Sequence, residues 1–503
     1  MLSLVKPFRL KMISSLFRSL ILLAIAVITV ACYSGMKMHS EKSQRKELQI
    51  LRTVINEAVG NPYLYVDSLQ LAKSLDSIEN NIEGRVSSVK WFRNVSSIVT
   101  QLGCGHTLIM PSQHLFTSFL ATPATFPFEV QYIEGKLYAT SNYKNKEKQS
   151  IKKGMEITAV DGRSIDGIVQ KMYPLFSSDA FNVSMKDAYF KDFFALYYYL
   201  STHGEESFSK TMKVTFINAK QEVETLEAVK TYPSVEKLKK RYKNNPFVKP
   251  PKLSKFGVQR IEKKKNYAYL KLHSFAHLQG RKYEAWLRKF FREVQQQQAP
   301  YLVLDLRGNL GGLPQNELLS YLIPKLNGFL TMTLPNLEKL SYRKYYKRWD
   351  KDYFQYKKLR KESIKYQLKE HQPFVFTYST PDAYESKMFR GKVIVLVDGL
   401  SFSSSANIVS NLKDHADVIV IGKTTGGSYQ QGNTGQLKFR FPKSKFFLAL
   451  NPIYFSNTPA EELTVDVGIV PDIAVKEVFG NKKSNDLYLK AAEKFIATDA
   501  AKK

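Results

Sequence analysis

Cysteine is almost missing from this chain: Cys32 and Cys104 are the only two in 503 residues. They cannot build a disulfide framework, so packed cores must hold the fold. Metal-ligand spacing is missing as well. The eight histidines are scattered, with no cysteines or carboxylates spaced around them, and no metal or cofactor is called for. No zinc finger, RNA-recognition motif or phosphate loop occurs. The N-terminal apolar stretch is short: Leu20 to Cys32 is an uncharged run of 13 residues. That length suits a secretory signal core better than a membrane span. Acids are absent from the first 18 residues, which hold Lys6, Arg9, Lys11 and Arg18.

What is present is ample apolar material: 44% hydrophobic and 13% aromatic residues, enough for two to four packed domains. Net charge is +30, which raises nucleic acid or an anionic membrane as partners. The bases concentrate in two segments. Residues 237–265 carry 12 Lys/Arg against one acid, Glu262, with Pro246, Pro250 and Pro251, and read as an exposed linker. The second lies between Leu313 and Gly391 and includes Tyr342-Arg-Lys-Tyr-Tyr-Lys-Arg-Trp349. Aromatics interleaved with bases suit single-stranded nucleic acid, but an exported chain does not meet that ligand. The segment reads instead as a solvated helical face or a lid over acidic peptide or lipid. Export follows from the N-terminus, where Ile28-Thr-Val-Ala-Cys32 resembles a bacterial lipobox with Thr29 where leucine is usual.

Helical spacing at Leu48, Leu51, Val54, Ile55 and Ala58 predicts a helical region over residues 33–120. Phe126–Ile133 and Lys136–Thr140, joined by Glu134-Gly135, form a hairpin pattern. Lys153-Gly-Met-Glu-Ile-Thr-Ala-Val-Asp-Gly-Arg-Ser-Ile165 then resembles a signature segment of PDZ domains, which bind extended peptides at a sheet edge. Beyond the linker, Tyr267–Phe275, Tyr301–Leu304 and Lys392–Val397 read as strands, and Tyr283–Gln295 as an amphipathic helix.

Two loops carry the chemistry. Asp398-Gly-Leu-Ser-Phe-Ser-Ser-Ser-Ala-Asn407 lies between a buried strand and a helix start. It puts a hydroxyl at the positive end of the helix, beside backbone N–H groups able to hold an oxyanion. The plain alternative is an N-cap. Asp305-Leu-Arg-Gly-Asn-Leu-Gly-Gly312 ends the strand from Tyr301, with Asp305 and Arg307 expected as an ion pair. Its glycines allow close approach of N–H groups to a ligand oxygen. Gly422-Lys-Thr-Thr-Gly-Gly427 follows the helix, and Val467-Gly-Ile-Val-Pro-Asp472 comes near the end.

Together these segments resemble the tail-specific (C-terminal processing) and tricorn-like serine peptidase family over roughly residues 100–475. The resemblance implies Ser403 as nucleophile, with Ser404 as the alternative. It implies an oxyanion hole from the N–H of Ser404 and from Gly311 or Gly312. Two positions depart from the family pattern: Ala406 stands where many relatives carry Glu, and Ser428 where one branch carries its lysine base. Lys423 occupies a slot usually held by Glu. A serine needs a base, and His106 in Leu102-Gly-Cys-Gly-His-Thr-Leu108 resembles the family's D-G-H-T motif, with Cys104 in place of Asp. His415 lies about 18 Å along a continuous helix from Ser403, too far to serve, and His273 alternates with core residues in a strand. Cys104 as nucleophile is the competing chemistry, made awkward by its closeness to His106 in sequence. Asp466 is expected to orient the imidazole, with Glu461 and Glu462 as alternatives.

The expected fold class is α/β, more fully an α+β multidomain chain. Its parts are a signal peptide with lipobox (1–32), a helical region (33–120), a PDZ-like β domain (121–225) and a basic linker (226–265). A ClpP/crotonase-like β/α protease core (266–480) with a basic insertion (314–390) and a C-terminal tail (481–503) complete it. The expected function is an exported serine-type endopeptidase acting on unfolded or C-terminal protein segments. The alternative is an inactive peptide-binding protein of the same fold. Partners are then protein or peptide, and the membrane through a lipid anchor, in the cell envelope facing periplasm or exterior.

Overall fold

The computed structural model describes residues 37–121, 126–180, 182–202, 211–229, 256–262, 266–276, 278–380, 388–428, 430–457, 468–480 and 485–502. At its centre is a six-stranded sheet in the order Val258–Glu262, Tyr267–Lys271, Tyr301–Asp305, Lys392–Val397, Val418–Gly422, Ile473–Ala474. The first pair is antiparallel and the rest are parallel. Strands buried on both faces read as continuous apolar runs, and alternate residues take opposite sides. Leu270, Leu302, Leu304 and Val395 pack under the helices Arg281–Gln296 and Ser404–His415. Tyr269, Val303, Ile394 and Leu396 face the helix Leu487–Ala500 through Tyr488, Ala492 and Ile496. Each fully buried large aliphatic side chain contributes about 1.5–3 kcal/mol relative to exposure.

Two expected boundaries are corrected here. The linker does not reach residue 265, because Val258–Glu262 is the antiparallel edge strand of the core sheet, its main chain paired with Tyr267–Lys271. The C-terminal segment is not a tail: Leu487–Ala500 is a helix covering one face of that sheet, with Asp486 as its N-cap. Most of the linker, residues 230–255, lies outside the described residues, as does the apolar run Leu20–Cys32. Among the described residues no helix is long and apolar enough to cross a membrane.

A second, antiparallel sheet runs Val223–Val229, Thr211–Ile217, Glu156–Val160, Lys136–Ala139, Val130–Ile133, and its strand Val223–Val229 passes residue 225. Its tight turn Glu134-Gly135 has φ of 50° and 78°, which favours glycine at the second place. The helices Glu41–Ala58, Ser68–Asn80 and Ser88–Gln101 are capped by Ser40, Asp67 and Ser87. After the third helix, Ile109–Met110 joins the strands Phe447–Leu450 and Leu437–Arg440 in a small sheet. That pairing brings a loop of the N-terminal region to the C-terminal core.

Candidate active site

The strand Lys392–Val397 ends at Asp398, and the chain turns into the helix Ser404–His415. Ser403 stands before this helix with φ 57° and ψ −125°, a strained backbone for a residue with a side chain. Its hydroxyl makes no capping bond, so the N-cap reading does not describe it. Instead, Ser403 Oγ lies 3.0 Å from His106 Nε2. The neighbouring hydroxyls are engaged otherwise. Ser404 Oγ donates to Gly312 O at 2.8 Å, Ser405 Oγ to Asn309 O at 2.8 Å, and Ser401 Oγ to Leu306 O at 3.0 Å.

The glycine loop 308–312 holds this turn in place. Gly308 N donates to Asp398 Oδ1 at 3.0 Å, and Phe402 N donates to Asn309 O at 3.1 Å. A Cβ on Gly311 would stand 2.7 Å from Ser403 Cβ, and its φ is 86°, so only glycine fits this approach. One expected role is corrected: Gly311 N–H donates to Asn309 Oδ1 at 2.9 Å, which removes it as an oxyanion donor. The N–H groups of Gly312 and Ser404 have no acceptor among the described residues.

His106 comes from the loop between the helix Ser88–Gln101 and the strand Ile109–Met110. Distant parts of the chain hold that loop. Gly105 N donates to Asp179 Oδ1 at 2.7 Å, Thr107 Oγ1 donates to Asn451 Oδ1 at 2.9 Å, and Cys104 Sγ donates to Asn433 O at 3.8 Å. The imidazole lies against the Phe402 ring, centroids 4.5 Å apart. Burial pushes its pKa down to about 4, so near neutral pH it is uncharged and able to accept a proton. Its Nδ1 is buried with no hydrogen-bond partner among the described residues. The expected orienting groups Asp466, Glu461 and Glu462 lie outside the described residues. Lys423 is drawn away from the hydroxyl into ion pairs with Glu134 at 2.7 Å and Glu477 at 3.4 Å.

Residues 266–475 match the family model for peptidase family S41. The structure aligns with mature CPAF complexed with lactacystin at TM-score 0.56 and 13% identity, over 91% of this chain and 97% of that one. A serine-to-alanine variant of CPAF gives 0.58 and 12%, over 91% and 96%. These likenesses are of fold. No curated protein sequence matches the chain. The chain carries a peptidase family S41 domain. That domain and the mixed α/β architecture are those of serine-type peptidases.

The S41 domain contains the Ser403 turn and the glycine loop, while His106 reaches it from outside residues 266–475. The expected Asp305–Arg307 ion pair is present at 2.6 Å, beneath that loop. Burial raises the Asp305 pKa, but Arg307 and Lys271 outweigh it and hold the carboxyl at about 2. Arg307 also grips Asp486, at the start of the C-terminal helix, at 2.7 Å.

Sequence reasoning did not find Asp179. Its Oδ1 accepts from Gly105 N, its Oδ2 accepts from Ser428 N at 3.0 Å, and it is buried. No local pattern marks it, because its partners lie far away in sequence. Cys104 Sγ, a His106 ring nitrogen and an Asp179 oxygen lie within 4.8 Å of one another. They do not make a ready metal site: both Asp179 oxygens already accept N–H groups, and burial pushes the Cys104 thiol up to about 11. The same protonation argues against Cys104 as a nucleophile.

Proposed function

We propose that Ser403 is the nucleophile of this peptidase and His106 its general base, acting through an acyl-enzyme. The observation that carries the reading is the 3.0 Å approach of His106 Nε2 to Ser403 Oγ. The neutral imidazole takes the hydroxyl proton as Oγ attacks a peptide carbonyl. The N–H groups of Ser404 and Gly312 receive the tetrahedral oxyanion. His106 then returns the proton to the leaving amine, and water resolves the ester by the reverse sequence. The positive φ of Ser403 presents the hydroxyl away from the helix, so the helix end supports the oxyanion rather than capping itself. Asp466, Glu461 or Glu462 supplies the group that orients the imidazole.

The antiparallel sheet over residues 130–229 is the PDZ-like part of this reading. PDZ domains take an extended peptide as an added strand, a mode that fits unfolded or C-terminal segments as substrates. The N-terminal charge pattern and the lipobox-like Ile28–Cys32 support export and a lipid anchor in the cell envelope. The test is labelling with a fluorophosphonate serine probe, wild type beside Ser403→Ala and His106→Ala. Stoichiometric labelling lost in both variants is expected. A folded wild type that takes no label overturns the reading in favour of a peptide-binding protein.

A further inference from the structure

The charge of +30 has no use in the peptidase chemistry. Its densest described part is residues 339–369, with 12 Lys/Arg against three acids. The helix Lys351–Glu370 runs through it and is fixed in rotation by its inner side. Tyr353, Tyr356 and Ser363 are buried, Arg360 Nε donates to Glu338 O at 3.1 Å, and Lys438 pairs with Asp350 at 2.8 Å and Asp352 at 3.0 Å. The outer side therefore cannot turn inward.

That outer side is ordered. Phe354, Lys358, Lys361, Lys365 and Leu368 recur at intervals of four and three, which places them in one stripe along the helix. All five are exposed, Phe354 at 50% and Leu368 at 74%. Trp349, just before the helix, is 89% exposed, the largest value among the exposed large hydrophobics of the described residues. Apolar groups at both ends of a row of lysines match a bilayer surface, where rings and aliphatic side chains enter the headgroup layer and ammonium groups meet phosphates.

The segment that anchors this helix also meets the first described residue. Lys37, where residues 1–36 join the described part, donates from Nζ to Lys443 O at 2.5 Å. Lys443 follows the strand Leu437–Arg440 that holds the helix through Lys438. Five residues span at most roughly 18 Å. The first described residue and the start of the basic helix are thus both tied to the segment 438–443.

We propose that the helix Lys351–Glu370, with Trp349, is a docking face for an anionic phospholipid bilayer. Lys358, Lys361 and Lys365 bind headgroup phosphates, and Trp349, Phe354 and Leu368 insert at the interface. This stands independently of the peptidase mechanism. The test is co-sedimentation of the full chain with vesicles of phosphatidylcholine, with and without about one-third phosphatidylglycerol, beside a K358E/K361E/K365E variant. The N-terminal apolar run contributes equally to both proteins, so the difference between them isolates the helix. Wild type is expected to prefer anionic vesicles, to weaken as salt rises, and to exceed the variant by about 100-fold. Its tryptophan emission should shift to the blue on anionic vesicles, a shift absent in Trp349→Phe; Trp91 is buried and Trp286 partly so. Equal binding by wild type and variant, or no emission shift, overturns the proposal. Retention of single-stranded DNA or polyglutamate that vesicles cannot displace would also overturn it, assigning the face to a polyanion instead.

Discussion

The two halves of the candidate site are built differently. The Ser403 turn is held from within its own domain, by Asn309, Asp398 and the glycines of the adjoining loop. The His106 loop is held from far away, by Asp179, Asn433 and Asn451. The first half inherits the rigidity of a core sheet buried on both faces. The second depends on three separate parts of the chain arriving together. A strained residue persists only where its surroundings over-determine it, and the buried hydrogen bonds around Ser403 supply that. His106 has a standard approach to its partner but a loop whose position is a tertiary product.

Removing the reacting groups tests whether the halves act as one unit. Ser403→Ala is expected to lower kcat by about a million-fold, and His106→Ala by a similar factor, with the double variant little worse than either. Steady-state kinetics of all three would show this; additive losses would mean that the pair does not act together.

The next largest effect separates the halves by stability. Arg307→Ala leaves the buried Asp305 with Lys271, Tyr269 and the main-chain N–H of residue 307 but without its guanidinium partner, and should destabilise the fold by about 3–5 kcal/mol in denaturant titrations. The matching pH effect has a defined sign. The Asp305 carboxyl is depressed in the fold to about 2, so its stabilisation is present above its unfolded value near 4 and is lost as pH falls through 2. Wild type should lose more stability than Asp305→Asn across that window.

Asp179→Ala cuts the link between the His106 loop and the core domain. It leaves Gly105 N and Ser428 N without their acceptor, an expected loss of about 1–3 kcal/mol. We expect a 10- to 100-fold fall in kcat/KM, with the core unfolding transition nearly unchanged. A large drop in core stability would instead show that the loop and sheet form one cooperative unit. The smallest effect is in the pH profile. Because burial lowers the His106 pKa to about 4, the acid limb of kcat/KM should fall near pH 4, not near the ordinary histidine value of about 6.5.

The strand Lys392–Val397 was legible to the residue, since a five-residue apolar, mostly β-branched run after Lys392 and before the turn at Asp398 leaves little choice. The serine-rich turn was legible through its strand–turn–helix setting, whereas the choice of Ser403 within it and of His106 as its base rested on the family resemblance. Gly311 was misassigned because its N–H is taken by a side chain two residues away, a contact that spacing does not reveal. The edge strand Val258–Glu262 was hidden by the charges around it: an edge strand needs only main-chain pairing, so its side chains stay polar. The C-terminal helix was missed because its buried Tyr488, Ala492 and Ile496 make a sparse stripe.

The sequence by itself determined the local pieces: the parallel strands, the glycine loop, the serine turn and the histidine loop, each set by short-range periodicity and backbone freedom. The tertiary structure alone decided which glycine N–H remains for an oxyanion and that Asp179 belongs to the candidate site. Those outcomes depend on hydrogen bonds between residues remote in the chain, and no local propensity encodes a partner that only folding brings within 3 Å.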